Sequence, residues 1–424
     1  MRIHMIGIGG IGMSALAQLY LRDGHTVSGS DREVSPTTEL LETKGVRVSI
    51  PQKSENVPAG AEIIVYSDAV WEDNPERICA KELGLKQISY FEALGEVSKG
   101  KRTIAVTGTH GKTTTTALIA KILKDAGKNP TAIVGSIVPE FGSNFLSGTS
   151  DIFVVEACEY KDHLLKLSPT VLVLTNVEWD HTDWFLTLES EIETFAKSGE
   201  KLPAGGALVT NVGGSNIAPV VARTKARAIS YVDEIVPELQ LIGDFNLMNA
   251  RAAKSAVKAL FPDIADSVID KSLSEFKGTW RRFEVKGETK EGAVVIDDYA
   301  HHPSAIEATL KATRAKFPDK KIIVAFHPHL YSRTRDLMDG FVHAFVDADE
   351  VVFAPIYPAR EEPIEGVTSD VLAEKIRATG KFAQAFNSLE AVETYLRSVS
   401  ASDTILMTMG AGDIYKVADA LALN

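Results

Sequence analysis

Short apolar runs recur along the chain, each ending in a glycine or a polar cluster, with amphipathic stretches between them. Runs at 3–6, 26–29, 62–66 and 86–89 read as strands, and the 13–22 stretch reads as a helix. Further strands are predicted at 103–106, 152–155 and 171–175, with helices over 117–126 and from Gly243 to about 260. The last region repeats the pattern at 293–296, 322–326, 350–354, 381–385 and 404–407. Buried strands alternating with helices predict an α/β chain built on parallel sheets. The charged piece 98–102 predicts a linker, and a last region is expected to begin near 276–283.

The polar clusters at the strand ends carry the chemistry. Val106-Thr107-Gly108-Thr109-His110-Gly111-Lys112-Thr113-Thr114-Thr115-Thr116 reads as strand, glycine loop and helix. Such a loop turns backbone N–H groups toward phosphates at a helix N-terminus; Lys112 would reach the terminal phosphates and Thr113 would ligate Mg²⁺. Val106 stands where the longer form of this motif has its first glycine, so the loop is a short version. ATP is the expected cofactor.

A second glycine loop, Gly7-Ile8-Gly9-Gly10-Ile11-Gly12, follows the first strand, with Asp31 about twenty residues on. That spacing suits a dinucleotide. It suits equally a UDP-sugar, which also offers a diphosphate and a ribose hydroxyl. Ser67 closes a strand in the same region. Glu156, in Glu156-Ala157-Cys158-Glu159-Tyr160, and His181, in Asn176-Val177-Glu178-Trp179-Asp180-His181, end strands beside the ATP loop. Carboxylates there are costly unless they serve a ligand, and both residues are expected at Mg²⁺. Asn246 is readable as a helix N-cap, which leaves Asn249 in need of another role. Arg333 and Arg335 at a helix start oppose its dipole and call for anionic company, expected from a substrate carboxylate or phosphate.

Composition narrows the setting. With 45 Lys and Arg against 57 Asp and Glu, the net charge of −12 argues against broad binding of nucleic acid or anionic membrane. Two cysteines, Cys79 and Cys158, make neither a disulfide framework nor a cysteine zinc site. The apolar runs are too short to span a bilayer, and a soluble cytoplasmic enzyme is expected.

Taken together, G-I-G-G-I-G-M, G-T-H-G-K-T-T-T, T-N-V-E-W-D-H, G-T-W-R-R-F, D-D-Y-A-H-H-P and G-A-G-D, in this order, resemble the Mur ligases of peptidoglycan synthesis over nearly the whole chain. The resemblance implies three α/β domains: a Rossmann-like UDP-sugar domain (1–99), a central P-loop ATPase-like domain (100–278) and a Rossmann-like amino-acid domain (279–424). It implies ATP-dependent ligation of L-alanine to UDP-N-acetylmuramate through an acyl phosphate, with a tripeptide-recycling ligase as the alternative. Segments 327–337 and 357–364 resemble the alanine-adding branch. By the same resemblance Gly9, Gly10, Ile11, Gly12, Asp31, Arg32 and Ser67 hold the sugar nucleotide. Gly108, Thr109, Gly111, Lys112, Thr113 and Thr114 hold ATP phosphates, with Asn246 and Asn249 at adenine and the Arg281-Arg282 pair and Asp297 meeting the nucleotide. Thr113, Glu156 and His181 hold Mg²⁺. Lys112, Glu156 and His181 are the catalytic set. Tyr299, His301, His329 and Arg333 surround the amino acid, Arg333 taking its carboxylate.

The sequence departs from the family pattern at Cys158 and Lys161, where acidic residues are usual, at Phe245, usually histidine, and at Leu330, usually arginine. Lys197 lies one residue off the spacing of a carbamoylated lysine in some relatives. A monomer or homodimer is expected. Two readings of other classes, an NAD-dependent oxidoreductase and a non-catalytic UDP-sugar sensor, complete the field.

Overall fold

The computed structural model describes residues 1–422, so the last two residues of the expected third domain lie outside the described residues. Three sheets organise the chain. The first is wholly parallel, in the order Arg47–Ser49, Thr26–Ser30, Arg2–Ile6, Ile63–Tyr66, Lys86–Ser89. Strand Arg2–Ile6 is central, and strand order reverses beside it. Its loop and the loop after Tyr66 therefore open at the crevice where such sheets bind ligands.

The second sheet has seven strands, and the strand that leads into the Lys112 loop, Arg102–Thr107, lies inside it between Val171–Leu174 and Ile152–Glu156. Register pairs Val106 with Glu156 and Thr107 with Leu174, so three polar strand ends sit side by side. Val171-Leu172-Val173-Leu174 is apolar throughout because a central parallel strand is buried on both faces. The helix Lys112–Asp125 buries every residue from Thr113 to Leu123, since it is covered on several sides.

The third sheet runs Glu284–Glu288, Val294–Asp298, Thr404–Met409, Lys321–Phe326, Glu350–Phe353, Phe382–Ala385. Only its first pair is antiparallel. Met409 is in register with both Asp298 and Phe326, which gathers the three polar clusters at one edge. Behind them Phe326, Phe341, Phe345 and Phe353 pack ring against ring. Full burial of a phenylalanine of this kind contributes about 1.5–3 kcal/mol.

The chain forms two compact units. The first holds both N-terminal sheets, with Glu191–Glu238 and Asn249–Phe276; the second holds the third sheet together with Glu178–Ser190 and Leu239–Met248. In the first unit a buried polar network joins the first two sheets. Gln18 donates to Asn144 Oδ1 at 3.2 Å, Asn144 donates to Ser14 Oγ at 3.0 Å, and Ser143 donates to Gln18 Oε1 at 3.1 Å. Satisfied networks of this kind fix one arrangement of the elements that carry them.

Strands missed in the sequence are the short ones and the hairpin: Arg47–Ser49, Thr131–Val138, Ser143–Leu146, Ala207–Thr210, Arg227–Ser230 and Glu284–Glu288. The stretch 98–102 runs from the end of the helix Tyr90–Ser98 into the strand Arg102–Thr107, with both sides in one compact unit.

Candidate active site

In the first unit, Gly111 caps the helix Lys112–Asp125 in left-handed backbone, with φ of 82°. A Cβ there would lie 2.2 Å from Asn249 Oδ1, and one on Gly108 (φ 119°) would lie 2.3 Å from Thr175 Oγ1. The loop needs glycine twice over, for conformation and for space. Its outer wall is the end of the neighbouring strand. Thr109 N–H donates to Asn176 O at 3.2 Å, His110 N–H to Asn176 Oδ1 at 2.9 Å, and the Thr175 hydroxyl to His110 O at 2.6 Å.

Lys112 folds back over this loop. Its ammonium donates to Gly108 O at 2.5 Å, Thr109 O at 3.2 Å and Glu159 Oε1 at 2.9 Å. Burial pulls the ammonium's pKa down, but the Glu159 carboxylate beside it outweighs this and the group stays charged, above the ordinary lysine value. Glu156 accepts from Gly135 N–H at 2.9 Å, and glycine at 135 leaves room for that carboxylate. Cys158 is a free thiol pushed up to about 12, by burial first and then by Glu159. It remains protonated at neutral pH and is a poor metal ligand. Thr113 is buried at the start of the helix, and Asn249 accepts from Thr115 at 3.3 Å. Lys197 is half exposed, 3.7 Å from Glu193.

The first glycine loop turns at Gly7, where φ is 80°. Gly9 N–H donates to Asp31 Oδ2 at 2.7 Å, and Arg32 N–H donates to Asp31 Oδ1 at 2.7 Å. Asp31 thus holds the loop's shape with its own carboxylate, a role its distant spacing did not disclose. Ser67 packs 3.0 Å from where a Gly7 Cβ would stand.

In the second unit, Arg333 lies buried on the short helix Tyr331–Asp336. Its Nε and Nη2 donate to Asp180 Oδ1 at 2.9 and 2.8 Å, and Nη1 donates to His329 Nδ1 at 2.9 Å. The anionic company expected from substrate is supplied here by the protein: Asp180 for Arg333, and Asp336 for the exposed Arg335. Burial would raise the Asp180 carboxyl, but Arg333 holds it well below the usual range.

His329 stacks on Tyr357, with centroids 5.7 Å apart, and stands 6.2 Å from the His301 ring. Burial and the Arg333 charge push His329 down to about 3 and His301 well below its ordinary value, so both imidazoles are neutral. Their hydrogen bonds assign the tautomers. His301 Nδ1–H donates to Tyr299 O at 3.0 Å, leaving Nε2 as an acceptor; His329 Nδ1 accepts, leaving Nε2–H as a donor. Arg282 lies over the Tyr299 ring at 4.9 Å.

Arg281 does not point outward. It is buried, donating to Asp297 Oδ2 at 2.8 Å, Gly410 O at 2.6 Å and Gly412 O at 3.0 Å. Asp297 also accepts from Thr408 at 2.6 Å. This pair knits three strand ends together. Asn246 lies inside the helix Asp244–Leu260 and donates back to Ile242 O at 2.8 Å, so it is not the N-cap that its position suggested. His181, Arg281 and Leu330 all adopt left-handed backbone, at φ of 49°, 61° and 69°. Such backbone costs about 1–3 kcal/mol for each non-glycine residue.

Comparison with known proteins agrees with these motifs. "Mur ligase family, catalytic domain" matches residues 2–102, "Mur ligase middle domain" matches 106–234, and "Mur ligase, glutamate ligase domain" matches 281–412. The chain is 37% identical to a UDP-N-acetylmuramate–L-alanine ligase of Clostridium kluyveri, covering 100% of this chain and 98% of that one. It is 39% identical to the enzyme of the same name from Caldicellulosiruptor saccharolyticus, covering 98% and 97%. The crystal structure of UDP-N-acetylmuramate-alanine ligase MurC from Thermotoga maritima superposes with a TM-score of 0.84 at 27% identity, over 99% of this chain and 98% of that one. Matched from end to end in sequence and in fold, the chain belongs to the Mur ligase family.

Proposed function

We propose that the chain joins L-alanine to the lactyl carboxylate of UDP-N-acetylmuramate in peptidoglycan precursor synthesis, using ATP. The observation that carries this is the Lys112 loop, a tight glycine turn at a helix N-terminus beside the strand end of Glu156, a shape suited to phosphate. Relatives of 37–39% identity over their full length, named for this activity, support it.

A carboxylate does not acylate an amine until its oxygen becomes a leaving group. Transfer of the ATP γ-phosphoryl group to the lactyl carboxylate gives an acyl phosphate and ADP. The alanine amine then attacks the acyl carbon, and phosphate departs from the tetrahedral intermediate. Lys112, released from Gly108 O and Thr109 O, would offset the charge of the transferring group. Arg333, which already holds a carboxylate, is assigned the amino acid's. The neutral His301 presents an acceptor to the incoming N–H without adding positive charge that would repel the amine.

Thr113 and Glu156 would supply hard oxygen donors suited to Mg²⁺. Bound there, the ion would shield the phosphate oxygens. Gly9 to Gly12 with Asp31, Arg32 and Ser67 are assigned the sugar nucleotide; Asn246, Asn249, Arg282 and Asp297 the rest of ATP; and Tyr299 and His329 the amino acid. We assign domains at 1–99, 100–278 and 279–424, and a cytoplasmic location, where UDP-linked precursors and ATP occur together. No helix of the described residues is long and apolar enough to cross a membrane.

The test is phosphate release from Mg-ATP across an amino-acid panel that includes the tripeptide. Release that needs UDP-N-acetylmuramate and L-alanine together supports the reading. Release indifferent to the amino acid sinks it.

A further inference from the structure

In the first unit, His163 stands on the helical turn Tyr160–Lys166, four residues after Glu159, and its Nε2 is hydrogen-bonded to the carboxylate of Asp68. Asp68 follows Ser67 in the loop after strand Ile63–Tyr66, on the sugar-nucleotide side. The imidazole lies flat on Phe91, with ring centroids 3.6 Å apart and planes at 11°, and meets the edge of Tyr160 at 6.0 Å. His163 is buried, and its Nδ1 has no hydrogen-bond partner among the described residues. The carboxylate comes from a loop of the first sheet and the imidazole from a turn after a strand of the second, so this bond ties the ends of the two sheets together.

Two lines of contact run from this turn and its ring. Toward the phosphate loop, Leu164 N–H donates to Cys158 O at 2.9 Å and Asp162 N–H to Glu159 O at 3.0 Å. Lys161 and Asp162, both in left-handed backbone at φ of 51° and 59°, bend the chain between His163 and Glu159, whose carboxylate holds Lys112. Toward the first glycine loop, Phe91 meets Tyr90 edge-on at 4.8 Å. The Tyr90 ring fills the space beside Gly12, where a Cβ would come within 2.5 Å of it.

We propose that His163 is a positioning residue: through Asp68 it sets the register of the sugar-nucleotide loop against the Lys112 loop, so that acceptor carboxylate and transferable phosphoryl group meet in line. This rests on the ligase reading above. His163 touches no reacting atom in this assignment. Its loss therefore displaces two substrates relative to each other and leaves the amino-acid pocket alone.

The experiment compares the full-length wild type with His163→Ala, His163→Gln, Asp68→Ala and the Asp68→Ala/His163→Ala double variant. It reads kcat, the KM of each substrate and thermal melting. Expected for His163→Ala is a fall in kcat of about ten- to a hundredfold, since misplacement of about an ångström has that effect. The KM for UDP-N-acetylmuramate rises and that for L-alanine does not. His163→Gln, which keeps an N–H for Asp68, regains most of the lost kcat, and the double variant is non-additive. An unchanged kcat and sugar-nucleotide KM in folded His163→Ala would overturn the proposal. So would equal rises in every KM, or additive effects in the double variant. If His163→Ala does not fold, Asp68→Ala decides: a fall in kcat with a rise in the UDP-N-acetylmuramate KM alone supports the proposal, and no change in either overturns it. Absence of alanine-dependent phosphate release in the wild type is a separate outcome, and it overturns the ligase reading together with the inference built on it.

Discussion

Asp180 and Arg333 form a buried ion pair in the second unit, two guanidinium nitrogens meeting one carboxylate oxygen at 2.9 and 2.8 Å. Removing one partner of such a pair leaves a charge that burial cannot tolerate. Asp180→Ala should therefore destabilise the protein by about 3–5 kcal/mol, read from urea denaturation. The KM for L-alanine should rise with it, because Arg333 loses the carboxylate that orients it. A loss below about 1 kcal/mol would show that the guanidinium finds other partners.

Lys112→Ala should abolish phosphate release while leaving UDP-N-acetylmuramate binding intact by calorimetry. The variant also strips Glu159 of its ammonium partner, so some stability is lost with the activity. Substantial residual ligation would remove Lys112 from the mechanism.

Gly111→Ala should be worse than an ordinary loop substitution. It combines a left-handed φ with a Cβ 2.2 Å from Asn249 Oδ1. Nucleotide affinity and melting temperature should fall together, by comparison with an exposed control such as Gly24→Ala, where a Cβ would meet nothing within 4 Å.

Acid sensitivity follows from the histidines. His329 sits at about 3 and His327 at about 4 in the folded chain, against an ordinary 6.5. Between those values the unfolded chain binds protons that the folded chain does not. Stability should then fall as pH drops from about 6.5 toward 3, by up to about 1.4 kcal/mol per pH unit for each such histidine. Asp180 acts lower down: its contribution is present above the unfolded value of 3.8 and is lost as pH falls through its depressed folded value. Denaturation midpoints taken at several pH values check the slope, which His327→Asn should reduce by about one proton.

The sequence disclosed the glycine loops, the strands that feed them and the polar strand ends, because each rests on local chemistry read from a few adjacent residues. It did not disclose what those residues hold. Asp180 stood next to His181 in plain view, yet its partner Arg333 is remote in sequence, and only tertiary packing pairs them. Arg281 was expected at nucleotide and proves to bind Asp297 and two carbonyls, since a basic pair before a strand looks the same in either role. Asn246 was legible as a polar residue near a helix start, but the start lies at Asp244, and a shift of two residues turns a cap into a back-bonding amide. Short strands such as Arg47–Ser49 and Arg227–Ser230 escaped because they carry too few apolar residues to show a period.

The membership of the two units has a consequence for dissection. Glu178–Ser190 and Leu239–Met248 are assigned with the third sheet, although the polypeptide returns to the first unit after each. A fragment cut at residue 277 would begin without Asp180, Asp183 and the strand-end residues around His181, and Arg333 and Arg360 would lose the carboxylates they hold. A break at residue 277 thus parts these arginines from their carboxylates. Expression of the C-terminal region alone should give a poorly folded product, and a split version of this enzyme would have to carry its threaded segments with it.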